Sequence, residues 1–228
     1  MLLKLAEIFY SIQGEGHPIG RPSIFIRTSL CNLKCKWCDT PYTWDWEKYD
    51  MEKEVVEKDV EEVLSIVKKW DCKNIVLTGG EPMLQQKALT ALMALLKPKG
   101  YLFDVETNAT LAMDADFKTL IDQYNCSPKL VHSGNSRIAS ETPHFNQYAR
   151  NPKSWFKFVI KTPKDVDQVL RMTKRYAISA NRVILMPEGT SAEKLNERSG
   201  WLSHLAYQNG FAFTSRLHIE KWGNKRGV

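Results

Sequence analysis

Short apolar runs alternate with amphipathic stretches along most of this chain. Residues 23–28 (SIFIRT) read as a strand. So do residues 74–78 (NIVLT), 101–105 (YLFDV), 155–160 (WFKFVI) and 182–186 (RVILM). A further strand unit closes near residues 127–131 (SPKLV). Between these runs the period changes to that of helices. Asp59 has N-cap chemistry with Glu62 three residues on, and Val63, Ile66 and Val67 share one face beyond it. Residues 89–96, 117–124, 165–174 and 192–208 also read as helices. Strand–helix alternation of this kind predicts a parallel sheet with helices outside. About six such units are fewer than a closed eight-fold barrel needs. The expected fold class is therefore α/β, an incomplete (β/α) barrel of about six parallel strands with outer helices.

In such folds the chemistry collects at the C-terminal ends of the strands. The polar and glycine-rich signatures fall in that register. A cysteine-rich loop follows the 23–28 strand. Thr78-Gly79-Gly80-Glu81-Pro82 ends the next, Glu106-Thr107-Asn108 another, and Met186-Pro187-Glu188 the last.

With 228 residues, 43% hydrophobic and 25% charged, the composition is that of a globular protein. Glycine and proline are spread throughout, so a single domain over residues 1–228 is expected. No apolar run is long enough for a membrane helix. The opening MLLKLAE shows no basic-then-apolar export pattern, and a cytoplasmic location is expected. Net charge is +6, but the cations are dispersed apart from the tail KWGNKRGV, residues 221–228. Direct nucleic-acid binding is not expected from that distribution.

Three of the five cysteines, Cys31, Cys35 and Cys38, stand in the run CNLKCKWC. Such crowding suits a metal centre in a reducing compartment. Structural zinc takes four ligands, commonly as two cysteine pairs, and no second pair exists here; His17 is the remaining candidate ligand for it. A 4Fe-4S cluster held by three thiolates keeps one iron open, whereas recruitment of Cys72 or Cys126 would cap it. Cys72 and Cys126 themselves read as small apolar residues. His132, His144, His204 and His218 are scattered, and no catalytic role is assigned to them.

The spacing Cys-x3-Cys-x2-Cys, with Trp37 before the last cysteine, resembles the radical S-adenosylmethionine superfamily. Gly79-Gly80-Glu81-Pro82 resembles the glycine-rich element of that superfamily. The run YSIQGEG (residues 10–16), Arg27, the stretch through Asp39 and Thr40, and the tail WGNKRGV together resemble the 7-carboxy-7-deazaguanine synthase family. Gln13 and Glu15 also offer the donors and acceptors that read a guanine-like edge.

The resemblance implies a carbon–nitrogen lyase with a 4Fe-4S cluster, S-adenosyl-L-methionine and Mg2+. Its substrate would be 6-carboxy-5,6,7,8-tetrahydropterin and its product 7-carboxy-7-deazaguanine, with loss of ammonia, on the route to queuosine-type purines. It further implies a homodimer and a flavodoxin-like or other reductant. Cys31, Cys35 and Cys38 would ligate the cluster and Thr40 the magnesium. Trp37, Cys38, Asp39, Gly80, Glu106, Ser127, Pro128 and Lys129 would hold S-adenosylmethionine. Ile12, Gln13, Gly14, Glu15, Arg27, Thr78 and Val228 would line the substrate. A glycyl-radical activase and a non-catalytic iron–sulfur electron carrier are the competing readings. The activase would need a protein-docking surface in place of the Gln13–Glu15 element, and the carrier would have no use for an open iron.

Overall fold

The computed structural model describes residues 1–135 and 142–228. Among these residues nine strands form one sheet: β1 (Leu2–Ile12), β2 (Pro22–Thr28), β3 (Val56–Asp59), β4 (Asn74–Gly79), β5 (Leu102–Thr107), β6 (Gln123–Cys126), β7 (Ser154–Ile160), β8 (Val183–Pro187) and β9 (Ala212–Phe213). Their order is β3-β1-β2-β4-β5-β6-β7-β8-β9. From β2 to β9 every neighbouring pair is parallel, while β1 runs antiparallel to both β2 and β3. Among the described residues no ladder joins β3 to β9, so the barrel is open. Among the described residues eight helices accompany the strands: α1 (Met51–Glu54), α2 (Val60–Val67), α3 (Gln86–Leu96), α4 (Ala115–Leu120), α5 (Phe145–Arg150), α6 (Pro163–Arg175), α7 (Ala192–Gln208) and α8 (Leu217–Trp222). None is long and apolar enough to cross a membrane among the described residues.

The expected incomplete barrel is present. The differences from the sequence pattern are local. The helix expected over 117–124 ends at Leu120, and its last residues belong to β6. That strand precedes Ser127-Pro128-Lys129 rather than spanning it. Gln123, Tyr124, Asn125 and Cys126 carry no strong apolar alternation, and pairing with β5 and β7 overrides their weak local preference. The strand expected to come first is preceded by β1, whose pattern is broken by a register shift between Leu5 and Glu7. The two-residue β9 is too short to leave a periodic signal. The Asp59–Glu62 pair forms the expected reciprocal cap of α2, with Glu62 N donating to Asp59 Oδ1 at 2.8 Å and Asp59 N to Glu62 Oε2 at 2.9 Å.

The two faces of the strands do different work. Side chains alternate across a strand. One set, including Ile24, Ile26, Ile75, Leu77, Phe103, Val105, Tyr124, Phe156, Phe158 and Leu185, is buried beneath the helices with Leu89, Leu92, Val169 and Leu202. This outer layer is the hydrophobic core. The intervening positions, among them Arg27, Thr78, Glu106 and Lys157, face an open cavity of about 600 Å3.

Just before the register shift in β1, a side chain adds to the backbone pairing. Gln85 Oε1 accepts from Lys4 N at 2.8 Å, and its Nε2 donates to Lys4 O at 2.9 Å and Ser29 O at 3.1 Å. One amide thus ties β1 to the chain leaving β2. Replacement by alanine leaves these backbone groups short of partners. Gln85→Ala should lower unfolding free energy by about 1–3 kcal/mol, read as a shifted guanidinium midpoint at unchanged slope. An unshifted midpoint would contradict this role.

Candidate active site

The site begins with how the chain leaves β2. Thr28, Ser29 and Leu30 lead into the cysteine loop, with Leu30 at a φ of 75°. Four backbone bonds fix that exit. Ser29 N donates to Lys4 O at 2.9 Å and Leu30 N to Thr43 O at 2.7 Å. Gly80 N donates to Thr28 O at 3.0 Å and Glu81 N to Leu30 O at 2.8 Å. The last two require backbone to approach backbone closely. A Cβ on Gly79 would lie 2.0 Å from Thr28 O, and one on Gly80 2.0 Å from Leu30 O. The glycine pair is therefore needed to seat the cysteine loop, in addition to lining the cavity.

Glu81 locks this turn from below. It is buried and accepts from Thr107 Oγ1 at 2.7 Å, Asn108 N at 2.7 Å and Met83 N at 3.1 Å. Its carboxylate joins the ends of β4 and β5 and stays out of the cavity lining. Burial outweighs these bonds and pushes its carboxyl up to about 6.

Cys31, Cys35 and Cys38 all line the cavity. Each sulfur has a nearby donor: Leu33 N at 3.4 Å from Cys31, Asn135 Nδ2 at 3.2 Å from Cys35 and Trp44 Nε1 at 3.3 Å from Cys38. Burial pushes the Cys31 thiol up to about 12 and raises Cys35 as well. A bound metal reverses that preference, because coordination deprotonates a thiol. Three sulfurs with N–H donors at one wall are a donor set that fits an iron–sulfur cluster. Cys72 and Cys126 are buried among core side chains and take no part.

Every residue expected to hold cofactor, metal or substrate lines this cavity except Pro128. Trp37 lies between His132, ring to ring at 5.5 Å, and Lys129, whose Nζ is 5.3 Å from the indole centre. Its buried Nε1 has no hydrogen-bond partner among the described residues. Lys129 Nζ also donates to Ser127 Oγ at 2.8 Å. Thr40 Oγ1 is 3.7 Å from Cys38 Sγ. Arg27 Nε is 3.4 Å from Glu7 Oε1, and its guanidinium sits 5.5 Å from the Phe9 ring centre.

The cavity also holds a buried charge network. Gln13 Nε2 donates to Glu106 Oε1 at 3.1 Å. Lys157 Nζ donates to Glu15 Oε2 at 2.6 Å and Glu106 Oε2 at 3.1 Å. Arg216 Nε donates to Glu15 Oε1 at 2.7 Å. Burial alone would raise the Glu15 carboxyl, but Lys157 and Arg216, with His218, hold it well below the usual range. Glu15 is therefore an ionised acceptor at neutral pH. For Glu106 burial prevails over Lys157, and its carboxyl is raised.

The sequence pattern gives no site role to Lys157, Arg216, His218, Glu7 or Tyr42. Lys157 had a signal, as the one charge inside the apolar run WFKFVI. His218 carries none; its ring packs against Gly14, where a Cβ would lie 2.1 Å from Nδ1. The tail folds back onto the cavity. Residues 224–228 line the cavity, with the Arg226 guanidinium 3.3 Å from the Tyr42 ring centre and its Nη2 2.6 Å from Glu54 Oε2.

Comparison with known proteins accords with this geometry. A model described as the Radical SAM superfamily matches residues 25–193. The chain is 38% identical to a 7-carboxy-7-deazaguanine synthase of Pyrobaculum aerophilum, over 99% of this chain and 97% of the relative. The chain belongs to the 7-carboxy-7-deazaguanine synthase family of the radical S-adenosylmethionine superfamily. A second member, from Halobacterium salinarum, is 33% identical over 97% of this chain and 91% of its own. The crystal structure of QueE from Escherichia coli shares the fold, with a TM-score of 0.72 and 22% identity over 95% of both chains. In this synthase family setting, the matched region starts within β2 and takes in the cysteine loop and the glycine turn, while β1 and the tail lie outside it.

The buried Glu81 makes a pH prediction. Its carboxyl is raised from 4.5 to about 6 in the folded protein. The stability contributed by its protonated form is full below about 4.5 and is lost as the pH rises through about 6. Wild-type stability relative to Glu81→Gln should fall by about 2 kcal/mol across that window. Urea titrations of both proteins between pH 4 and 7 measure the difference, and a constant gap would refute the assignment.

Proposed function

We infer that this chain is a 7-carboxy-7-deazaguanine synthase, converting 6-carboxy-5,6,7,8-tetrahydropterin to 7-carboxy-7-deazaguanine and ammonia. One observation carries the reading: a single cavity is lined at once by three cysteines, a glycine turn, and the Gln13–Glu15 and Arg27 polar groups. Similarity to named synthases over nearly the whole chain supports the same activity. The glycyl-radical activase and the electron carrier are not favoured.

Cys31, Cys35 and Cys38 hold the 4Fe-4S cluster through their thiolates. When bound, the cluster and S-adenosylmethionine supply the radical chemistry that removes a substrate hydrogen. The chain's own residues bind and orient. The backbone at Trp37, Cys38, Asp39 and Gly80, with Glu106, Ser127, Pro128 and Lys129, is proposed to hold S-adenosylmethionine. Pro128 acts there by shaping the chain between its two cavity-lining neighbours. The charged side of the cavity reads the pterin. Glu15, kept ionised by two cations, accepts from the N–H groups of the guanine-like edge. Gln13 is oriented by its bond to Glu106 and by Glu15 N, 3.3 Å from its Oε1. Arg27 offers a planar fork to the substrate carboxylate. Thr40 offers its hydroxyl to Mg2+, a cation that prefers oxygen. Ile12, Gly14, Thr78 and Val228 complete the wall.

The wider reading takes residues 1–228 as one radical S-adenosylmethionine domain. It is a cytoplasmic homodimer served by a flavodoxin-like or other reductant, with no nucleic-acid partner.

Oxygen-free incubation with dithionite, S-adenosylmethionine, Mg2+ and the carboxypterin should yield the deazapurine and ammonia in equal amounts. Formation of 5′-deoxyadenosine without the deazapurine would sink the substrate assignment. Cys35→Ala should be colourless and inactive, and cluster absorbance retained in that variant would count against its role as ligand.

Arg27→Ala should keep the cluster but raise the apparent KM for the pterin by roughly ten- to a hundred-fold, as expected for a lost polar contact of about 1–3 kcal/mol. An unchanged KM would remove Arg27 from the substrate wall.

A further inference from the structure

Arg216 occupies an unusual place. It is 6% exposed and lies between β9 and α8, far in sequence from both loops it touches. Its Nε donates to Glu15 Oε1 at 2.7 Å and its Nη1 to Gly189 O at 2.7 Å. Its Nη2 donates to a carboxylate oxygen of Asp39. Glu15 belongs to the loop proposed to read the substrate. Asp39 stands between Cys38 and Thr40, on the loop proposed to hold the cluster, S-adenosylmethionine and metal. Among the described residues no other side chain hydrogen-bonds to both loops.

The need for a cation is clear from the surroundings. Donor atoms of Glu15, Asp39 and His218 lie within 4.8 Å of one another. Two carboxylates so close repel unless a positive charge is shared between them. The guanidinium supplies that charge, and its planar array of donors serves three acceptors at once, which an ammonium point charge does less well. The segment around it is fastened to the same loop. Leu217 N donates to Gly14 O at 2.9 Å, and Gly16 N to Thr214 Oγ1 at 3.2 Å.

We propose that Arg216 is a positioning residue that ties the substrate-reading loop to the cofactor-holding loop, so that each loop holds the other in its ligand-binding geometry. This rests on the assigned function. The affinity of each ligand, measured alone, therefore reports on the opposite loop.

The test is a binding cycle and needs no turnover. Oxygen-free reconstituted protein is dialysed to equilibrium against the carboxypterin alone, for wild type, Asp39→Asn, Arg216→Gln and the double variant. Asp39→Asn should weaken pterin binding about tenfold in the wild-type background, although Asp39 lies on the other loop. It should have no further effect once Arg216 is glutamine. The mirror arm measures S-adenosylmethionine without pterin: Glu15→Gln should weaken it about tenfold, again only while Arg216 is present. A residue needed only for folding would lower the thermal midpoint and the competent fraction but leave the dissociation constants unchanged. An Asp39→Asn or Glu15→Gln effect of equal size with and without Arg216 would overturn the proposal. Should Arg216→Gln not fold, Arg216→Lys carries the same cycle, and full wild-type coupling in that variant would overturn it equally. If wild type binds no pterin, the assigned function fails, while the S-adenosylmethionine arm still decides the role of Arg216.

Discussion

The contact on which the site depends is between backbones. Two residues without side chains, Gly79 and Gly80, let the end of β4 touch the chain leaving β2. The geometry of the cysteine loop descends from that contact. Leu30 holds a left-handed conformation there, a state that ordinarily costs a β-carbon-bearing residue some energy. It persists because its N–H and C=O are both taken, by Thr43 and Glu81. Glu81 then transmits the position of β4 to β5 through Thr107 and Asn108. Three strand ends are thereby fixed relative to one another before any side chain of the cavity is considered.

A second frame lines the same cavity. It is built of charges rather than of backbone. Glu15, Glu106 and Asp39 are balanced by Lys157 and Arg216 in surroundings that penalise any unpaired ion. Such a network is a poor source of net stability, but it fixes directions well. Each carboxylate oxygen of Glu15 has its own cation, so the group cannot rotate freely. The result is a rigid polar wall in the cavity that the three cysteines also line, which is what a reaction needing one fixed substrate orientation requires.

Much of this was legible in the chain. The parallel sheet followed from alternating periods. The rim followed from where glycines and acids fall after each apolar run. The cysteine loop announced its own chemistry. What escaped was set by tertiary contact. β1 shifts register just beyond Lys4, whose main chain is bonded by Gln85, eighty-one residues away. β6 is held by its neighbours and not by its composition. Arg216 and His218 reach the cavity from a loop and a short helix without period. Glu81, in the glycine motif, proved to be a strut beneath the turn. Lys157 is the instructive case, because one charge in an otherwise apolar strand marked the inner face.

The division of labour between the two strand faces has a consequence for how this molecule can change over time. The aliphatic and aromatic layer that resists unfolding lies outside the sheet, under the helices, and the reactive lining lies inside. Substitutions at uncharged inner positions such as Ile12, Thr78 or Val159 therefore draw little on the packed layer. The same scaffold can drift toward other small molecules one wall residue at a time, while the sulfur-bearing loop and its glycine seat stay as they are.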